Sequence, residues 1–323
     1  MNETKSYLCL DSQRLDVFLS EQIGQTRSQV AQLIKQSCVY VDAKLVTRAG
    51  VKLKQNQTVR VDFPKQKVEE ALAIDFDVAV LYEDEDVLVI NKPSGLTVHP
   101  APSVKEPTLV NWLKHKGIRL STISGEERHG IVHRLDKGTS GAMVIAKNNG
   151  AHEFLSQQLQ DKTMGRYYVA VIAPPLKEEI TQIEQPIGRS TTNRLKMACT
   201  QEGKSAKTLF RALMLSRDEK NQLIAAKLFS GRTHQIRVHL ESISRHIVGD
   251  HVYALSSKLE KSEHILLHAY LIYFIHPSTK ERVFFQAPLD DVMQEYLEKK
   301  FEKERLDEVL EPDSLIHGFI GAY

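Results

Sequence analysis

The stretch from Ile131 to Lys147 reads IVHRLDKGTSGAMVIAK and places a carboxylate, Asp136, in a loop between two apolar segments. Residues 143–146 are predicted to form a buried strand, because a short apolar run bounded by turn residues is typical of one. Gly138 and Gly141 permit sharp backbone turns and the close approach of a ligand. An aspartate in such a loop is more often a turn-capping residue than a catalytic one, so the spacing alone leaves both interpretations open.

The segments on either side of this stretch predict many strands and few helices. Periodicity assigns helices to 107–116, 151–160 and 233–243, strands to 87–90, 167–172, 265–275 and 282–286, and a hairpin to 205–229. Strands joined by short turns, with few helices between them, are typical of α+β domains. We therefore expect an α+β fold with a mixed, mostly antiparallel sheet.

Residues 12–66 predict a separate small domain. Apolar residues at helical spacing indicate a helix over 14–23 and a second helix that opens at Thr26-Arg27-Ser28, and short strands follow at 39–41 and 59–61. Between Arg14 and Asp62 this part holds eight basic residues against four acidic ones. A surface that binds a polyanion would have this composition, and so would a solvated basic face without a ligand.

The remaining chain divides into a linker, a large domain and a tail. Residues 67–77 mix charges without a clear period and are assigned to the linker, 78–305 to the large domain, and 306–323 to a tail of unknown role. Residues 290–313 hold ten acidic residues against four basic ones, a net charge of −6 that leaves +8 on the rest of a chain whose total is +2. We expect the basic part to face a polyanion and the acidic end to face away from it.

The composition predicts a cytoplasmic protein without a membrane span. Hydrophobic residues make up 41% and charged residues 26% of the 323 residues, and no run approaches the apolar length of a spanning helix. Charged residues within the first eleven positions argue against a secretory signal. Cys9, Cys38 and Cys199 lie far apart without a C-x-x-C pair, so neither a disulfide framework nor a zinc site is predicted.

The stretch 133–141 resembles the signature H-R-L-D-x-x-T-S-G of the RluA family of pseudouridine synthases. Further motifs that resemble this family follow in order along 80–288, and they are Asn91-Lys92-Pro93-Ser94-Gly95-Leu96, Val98-His99-Pro100, Lys196-Met197, Gly203-Lys204-x-Ala206, Gly231-Arg232-Thr233-His234-Gln235-Ile236-Arg237, Val248-Gly249-Asp250, Leu267-His268-Ala269 and His276-Pro277. Residues 12–66 resemble the alpha-L RNA-binding motif, with Arg14-Leu15-Asp16 and Thr26-Arg27-Ser28 in matching places. The departures, at Ala142-Met143, at Ala254 and after residue 306, touch no catalytic position of the family.

The resemblance implies an enzyme that isomerises uridine to pseudouridine in RNA and is similar to bacterial enzymes acting on large-subunit ribosomal RNA. RNA is then the expected partner, and we expect a monomer. No cofactor or metal is expected, because the reaction is an internal isomerisation. The pairs His129 and His133, and His264 and His268, are spaced by four residues, but they fall in a predicted loop and strand, where that spacing does not bring metal ligands together.

The resemblance also assigns catalytic roles to three residues. Asp136 is the catalytic carboxylate, which either attacks the sugar at C1′ or abstracts a proton from it. Arg232 is expected to pair with Asp136, because a planar guanidinium holds a carboxylate through two hydrogen bonds; its alternative is a phosphate contact. Tyr168 is expected beside the base, although Tyr167 could take that place, and a tyrosine stacked in the core is the other interpretation.

RNA contacts are expected from five basic residues. Arg134 resembles the arginine that enters the RNA while the target uridine is flipped out of its stack. Lys92 and Arg237 are candidates for phosphate contacts. Arg14 and Arg27 are candidates for RNA contacts of the N-terminal domain.

Two other functions fit part of the pattern. A non-catalytic RNA-binding factor in ribosome assembly would keep the fold without needing Asp136, Arg232 and Tyr168 together. A nucleoside hydrolase also breaks a glycosidic bond, but glycoside hydrolysis usually employs two carboxylates, whereas the signature supplies one.

Overall fold

The computed structural model describes residues 4–23, 27–62, 74–101, 104–124, 128–193, 195–254 and 262–319. The chain divides into two compact units, Met1–Ala71 and Leu72–Tyr323. Thr26 and residues 67–73 of the predicted linker lie outside the described residues, and so do residues 320–323 of the predicted tail. No helix in the described ranges is long and apolar enough to cross a membrane.

The first unit is a four-stranded antiparallel sheet packed against two helices. Its elements in chain order are β1 (Thr4–Leu8), α1 (Leu15–Ile23), α2 (Arg27–Lys35), β2 (Val39–Val41), β3 (Lys44–Leu45) and β4 (Thr58–Asp62). The strand order is β1-β4-β2-β3, and Leu15, Leu19, Val30 and Val59 are fully buried between helices and sheet. The predicted helices and the strands at 39–41 and 59–61 are confirmed, whereas β1, which carries few apolar residues and is mostly exposed, was not predicted.

The second unit contains the large sheet and its covering helices. Its strands are β5 (Ala79–Glu83), β6 (Val87–Lys92), β7 (Ser140–Ala146), β8 (Gly165–Ala173), β9 (Ile180–Glu184), β10 (Ile187–Arg189), β11 (Met197–Cys199), β12 (Lys207–Leu215), β13 (Gln222–Leu228), β14 (His246–Ile247), β15 (Leu267–Ile275) and β16 (Arg282–Gln286). Its helices are α3 (Leu109–His115), α4 (Asn149–Asp161), α5 (Gln235–Ser242), α6 (Asp291–Lys300), α7 (Lys303–Val309) and α8 (Pro312–His317).

The large sheet is mixed and mostly antiparallel, which confirms the predicted fold class. Its main path runs β5-β6-β7-β15-β8-β13-β12-β9, with β14 added to β8 and β16 to β15. The pair of β7 and β15 is parallel, and the other pairs are antiparallel. Strand β7 is buried along its whole length, so the loop that precedes it opens from the centre of the sheet.

Helices cover both faces of this sheet. On one face α3 and α5 pack through Trp112 and Leu240 against the side of β8 that carries Tyr168. On the other face α6, α7 and α8 pack against the side of β8 that carries Tyr167. The segment 306–319, predicted to be a tail, therefore belongs to the core of the second unit, and the acidic end covers the face opposite to Tyr168.

Candidate active site

A cleft of about 510 Å³ lies on the face of the sheet that carries Tyr168. Among the described residues, the charged side chains that line it are one carboxylate, Asp136, and four guanidinium groups, Arg134, Arg166, Arg232 and Arg237. A concave surface on which several polar and charged groups converge is typical of a ligand site, and a flipped-out nucleotide needs such a site. The surplus of positive charge suits a polyanion.

The loop that carries Asp136 is held from outside by the turn after β6. Gly95 N donates to the Lys137 carbonyl at 2.8 Å, and Ser94 Oγ donates to the Gly138 carbonyl at 2.8 Å. At the start of β7, Gly141 adopts φ +115°, and a Cβ there would lie 2.3 Å from the Ala269 carbonyl oxygen. Glycine is therefore required where β7 passes β15, at the point where the loop joins the sheet.

Lys92 helps to hold this loop, and its predicted phosphate contact is wrong. The side chain is fully buried, and Nζ donates to the carbonyls of Pro93 at 2.8 Å, Leu96 at 2.8 Å and Lys137 at 3.3 Å. Burial lowers the pKa of Lys92 to about 7, against the opposing charge of Asp136. A lysine turned inward onto three backbone carbonyls cannot reach RNA, and no local pattern in the sequence indicates its burial.

The cation next to Asp136 is Arg237. Its Nη1 lies 3.5 Å from Asp136 Oδ2, while its Nε and Nη2 donate to the two oxygens of Asp250 at 2.7 and 2.8 Å. Asp250 is 1% exposed. Burial acts to lower the pKa of Arg237, but the hydrogen bonds and charge of Asp250, with the charge of Asp136, outweigh it and raise that pKa. Arg237 is thus anchored by Asp250 and faces Asp136, and its predicted phosphate contact stays a prediction.

Arg232 does not form the ion pair with Asp136 that the sequence predicted. It lies in the turn before α5, where Nε donates to the Ser205 carbonyl at 3.0 Å, and its side chain is exposed at the cleft rim. Arg237, in the first turn of α5, points to Asp136 instead. Because α5 begins at Gln235, Arg232 lies in the turn before the helix and Arg237 lies within it, and only Arg237 is directed toward the carboxylate of Asp136.

Tyr168 lies in the cleft wall, as the alternation along β8 predicted. It is 4% exposed and shares the cleft face with Arg166, while Tyr167 packs on the opposite face with its ring centroid 5.5 Å from that of Phe319. Burial raises the pKa of the Tyr168 hydroxyl, against the opposing charge of Arg166. A neutral phenol therefore faces the cleft at ordinary pH.

His234 was not singled out by the sequence, although it stands within the motif 231–237. Its Nε2 lies 3.9 Å from Asp136 Oδ2, and its Nδ1 is 2.9 Å from the hydroxyl of Tyr253. Burial lowers the pKa of His234, against the opposing charge of Asp136. Its position beside Asp136 depends on a left-handed backbone, φ 57°, at the N-cap of α5.

Arg134 lies exposed at the mouth of the cleft, next to Asp136 in the family signature. Burial, together with the charges of Arg134 and Arg128, lowers the pKa of His99 to about 4. The side chain of Arg134 is thus accessible to a ligand at the edge of the cleft. Its predicted entry into the RNA stays a prediction.

Arg14 and Arg27 form an ion-pair cluster within the first unit. Arg14 Nε lies 3.0 Å from Asp16 Oδ1, and Arg27 Nη2 lies 2.7 Å from Asp16 Oδ2. The hydrogen bond from Arg14 holds the pKa of Asp16 well below its usual range, against the opposing effect of burial. The arginine side chains remain 55% and 58% exposed, so the cluster ties α1 to α2 while leaving both guanidinium groups open to solvent.

Three of the histidines considered as metal ligands have other partners. His133 Nε2 accepts from Val144 N at 3.1 Å, His264 Nε2 lies 3.2 Å from Asp290 Oδ1, and His268 Nδ1 is 2.8 Å from Ser140 Oγ. Within the described ranges, no three His, Cys, Asp or Glu side chains come together as metal ligands would.

Comparisons with known proteins agree on one family. The RNA pseudouridylate synthase model matches residues 86–242, and the S4 domain model matches residues 13–59. An "Uncharacterized RNA pseudouridine synthase" of Helicobacter pylori strain J99 is 48% identical over 95% of this chain and 96% of its own length. The "Ribosomal large subunit pseudouridine synthase D" of Zymomonas mobilis is 36% identical over 87% of this chain and 92% of its own. The solved structure of "Human RNA Pseudouridylate Synthase Domain Containing 1" matches with a TM-score of 0.58 at 21% identity, covering 73% of this chain and 95% of that one, and supports the fold alone.

Proposed function

The chain belongs to the RNA pseudouridine synthase family and is an isomerase with an S4 domain, and from this premise we propose that it modifies large-subunit ribosomal RNA with Asp136 as its catalytic carboxylate. The observation that carries the assignment of Asp136 is its position as the carboxylate among the described lining residues of a cleft with four guanidinium groups.

Asp136 suits the reaction because a carboxylate beside C1′ can either attack the sugar or take a proton from it. Either route releases the uracil from C1′, after which the base rotates and bonds through C5. In the first route C5 displaces the carboxylate of Asp136 from C1′ as the new bond forms, and in the second route the sugar regains its proton from Asp136. The proton on C5 then leaves to solvent, and N1, freed from C1′, takes one up. Atoms and charge balance within the nucleotide, so the reaction consumes no co-reactant.

Arg237 replaces Arg232 in the proposed mechanism as the residue that positions Asp136. Held by two short hydrogen bonds to Asp250, it presents Nη1 to Asp136 as a fixed charge that need not reorganise during the reaction. Tyr168 is proposed to contact the uracil from the cleft wall, and Arg134 to contact the RNA outside the cleft.

Ribosomal RNA is proposed on two grounds. The Zymomonas mobilis relative is named for the ribosomal large subunit, and it covers most of this chain. The first unit adds a basic surface in which Arg14 and Arg27 are exposed. Phosphate contacts from such a surface supply affinity without sequence specificity, and base flipping at a loop or bulge then selects the uridine. We propose the cytoplasm as the place of this reaction.

The test is a map of pseudouridine in ribosomal and transfer RNA from cells with and without the gene. We expect one or a few large-subunit sites to disappear and to return with the wild-type gene but not with Asp136→Asn. Loss confined to transfer RNA would overturn the substrate, and restoration by Asp136→Asn would overturn the catalytic residue.

A further inference from the structure

Arg166 is a buried arginine whose charge has no counterpart within the described parts of the chain. It projects from β8 into the cleft wall and is 9% exposed. Its Nε is buried and has no hydrogen-bond partner. Burying an arginine Nε without an acceptor is costly, and no carboxylate pairs with this guanidinium among the described residues, so the arrangement suits a ligand that the free protein lacks.

The surroundings of Arg166 hold its guanidinium at one edge of the cleft. A Cβ on Gly231 would lie 3.2 Å from Nη1 and 3.3 Å from Nη2, so the planar group lies against a turn that has no side chain there. Arg232 follows in the same turn, and its Nε donates a hydrogen bond to the Ser205 carbonyl. Two guanidinium groups therefore flank Gly231, both lining the cleft.

Asp136 does not compensate this charge. Asp136 forms its ion pair with Arg237, and Arg237 is itself held by Asp250. No ion pair with Arg166 occurs among the described residues, so the edge of the cleft at Gly231 carries excess positive charge in the free protein.

We propose that Arg166, together with Arg232, binds a backbone phosphate of the RNA next to the target uridine, an assignment that rests on the proposed function. A flipped-out nucleotide brings a phosphodiester on either side of it to the cleft. A phosphodiester carries the full negative charge that a buried guanidinium lacks, and its oxygens accept the paired hydrogen bonds that arginine offers. A uracil carbonyl would accept a hydrogen bond but would leave the charge uncompensated.

The proposal makes two measurable demands on the full-length protein. Arg166→Met removes a buried, unpaired charge and keeps an unbranched side chain of similar reach, so the melting temperature should rise by about 2–4 °C. The same substitution should weaken the recognition of phosphate. A purely structural role for Arg166 would instead lower the melting temperature.

Phosphate recognition is tested with the trinucleotide UpUpU and with the same trinucleotide carrying uncharged methylphosphonate linkages. Binding of both probes is measured by calorimetry to wild type, Arg166→Met and Arg166→Lys, with Arg282→Met as the control on the exposed part of β16. We expect the wild type and the control to prefer the charged probe, and the preference to fall about tenfold in Arg166→Met. Arg166→Lys keeps the charge without the planar fork, so it should lose part of the preference.

An unchanged preference in Arg166→Met, or the absence of any preference in wild type, would overturn the proposal. Should Arg166→Met fail to fold, Arg166→Lys with the full wild-type preference would overturn it as well. These measurements need no catalysis. If the pseudouridine map shows no ribosomal target, the proposed substrate is wrong, but the phosphate site can still be correct. If ribosomal sites are lost as expected but the preference for the charged probe does not depend on Arg166, the substrate is supported and the phosphate site is wrong.

Discussion

Two carboxylates touch Arg237, and replacing each by its amide should have opposite effects on catalysis and on folding. Asp136 lies 3.5 Å from Nη1 and its side chain is 18% exposed. Asp250 is 1% exposed, accepts from Nε and Nη2 at 2.7 and 2.8 Å, and also accepts from Val252 N at 3.0 Å. Asp136→Asn therefore removes the charge that we propose to react, whereas Asp250→Asn removes the buried partner of the arginine.

The magnitudes follow from this geometry. In Asp136→Asn, Arg237 keeps both hydrogen bonds to Asp250, so the free energy of unfolding should change by less than about 1 kcal/mol. The rate of isomerisation should fall by about 10³-fold or more, because a positioned nucleophile or base is lost. Asp250→Asn leaves a buried guanidinium without its main counterion, which should cost about 3–5 kcal/mol, or a fall of about 6–20 °C in melting temperature.

Isomerisation is measured as tritium release from C5-labelled large-subunit RNA under single-turnover conditions. Unfolding is followed by the fluorescence of Trp112, which is the one tryptophan of the chain and lies buried in the second unit. Activity of Asp136→Asn within tenfold of wild type would refute its role as the reacting carboxylate. Equal losses of stability in the two variants would refute the description of Arg237 as anchored by Asp250.

Three further predictions concern RNA binding, pH and metal. Removal of residues 1–71 should weaken RNA binding and make it less dependent on salt. The slope of log binding constant against log salt concentration should fall by about one unit for each RNA phosphate that this unit neutralises, and an unchanged slope in filter binding would contradict this. The hydrogen bond from His264 to Asp290 raises the pKa of His264. The pair therefore stabilises the fold fully at a pH below the pKa of His264 in the unfolded chain, about 6.5, and this stabilisation is lost as the pH rises through the pKa of His264 in the folded protein. His264→Gln should therefore lose more stability at pH 5.5 than at pH 8.5 in urea unfolding, and a constant difference would show that the pair does not titrate this way. Turnover on a short loop RNA that folds without magnesium should be unchanged by EDTA, and full inactivation would reveal a required metal.

The α+β class, the mixed sheet and the loop that carries Asp136 could be predicted because each depends on local pattern. Strand β7 is an apolar run after glycines, and Tyr168 follows from alternation along β8. The packing of helices α6 to α8 was harder to predict from the sequence. Many of their residues are charged, and only a few apolar residues, such as Leu306 and Leu315, enter the core.

The roles of basic side chains could not be predicted in the same way, because burial and direction are properties of the folded chain. Arg232 and Arg237 stand in one motif, and the residue at which α5 begins decides which one meets Asp136. Lys92 looks like any lysine in a turn until three backbone carbonyls are found around its amine. Arg166 is an ordinary isolated arginine of a strand in the sequence, since its unusual feature is the lack of an ion-pair partner among the described residues in three dimensions.

Strand β8 has its two faces completed at different stages of synthesis. Tyr168 faces the cleft, whereas Tyr167 packs against Phe319, which is translated after every strand of the sheet. Until residues 303–319 have been made, α7 and α8 are absent. The face of β8 that carries Tyr167 is then exposed to solvent, and nothing from this segment packs behind the strand that presents Tyr168. A chain that stopped before this segment would hold Asp136, Tyr168 and Arg237 on a sheet with one uncovered apolar face, and we expect it to be a poorer catalyst than the full-length chain.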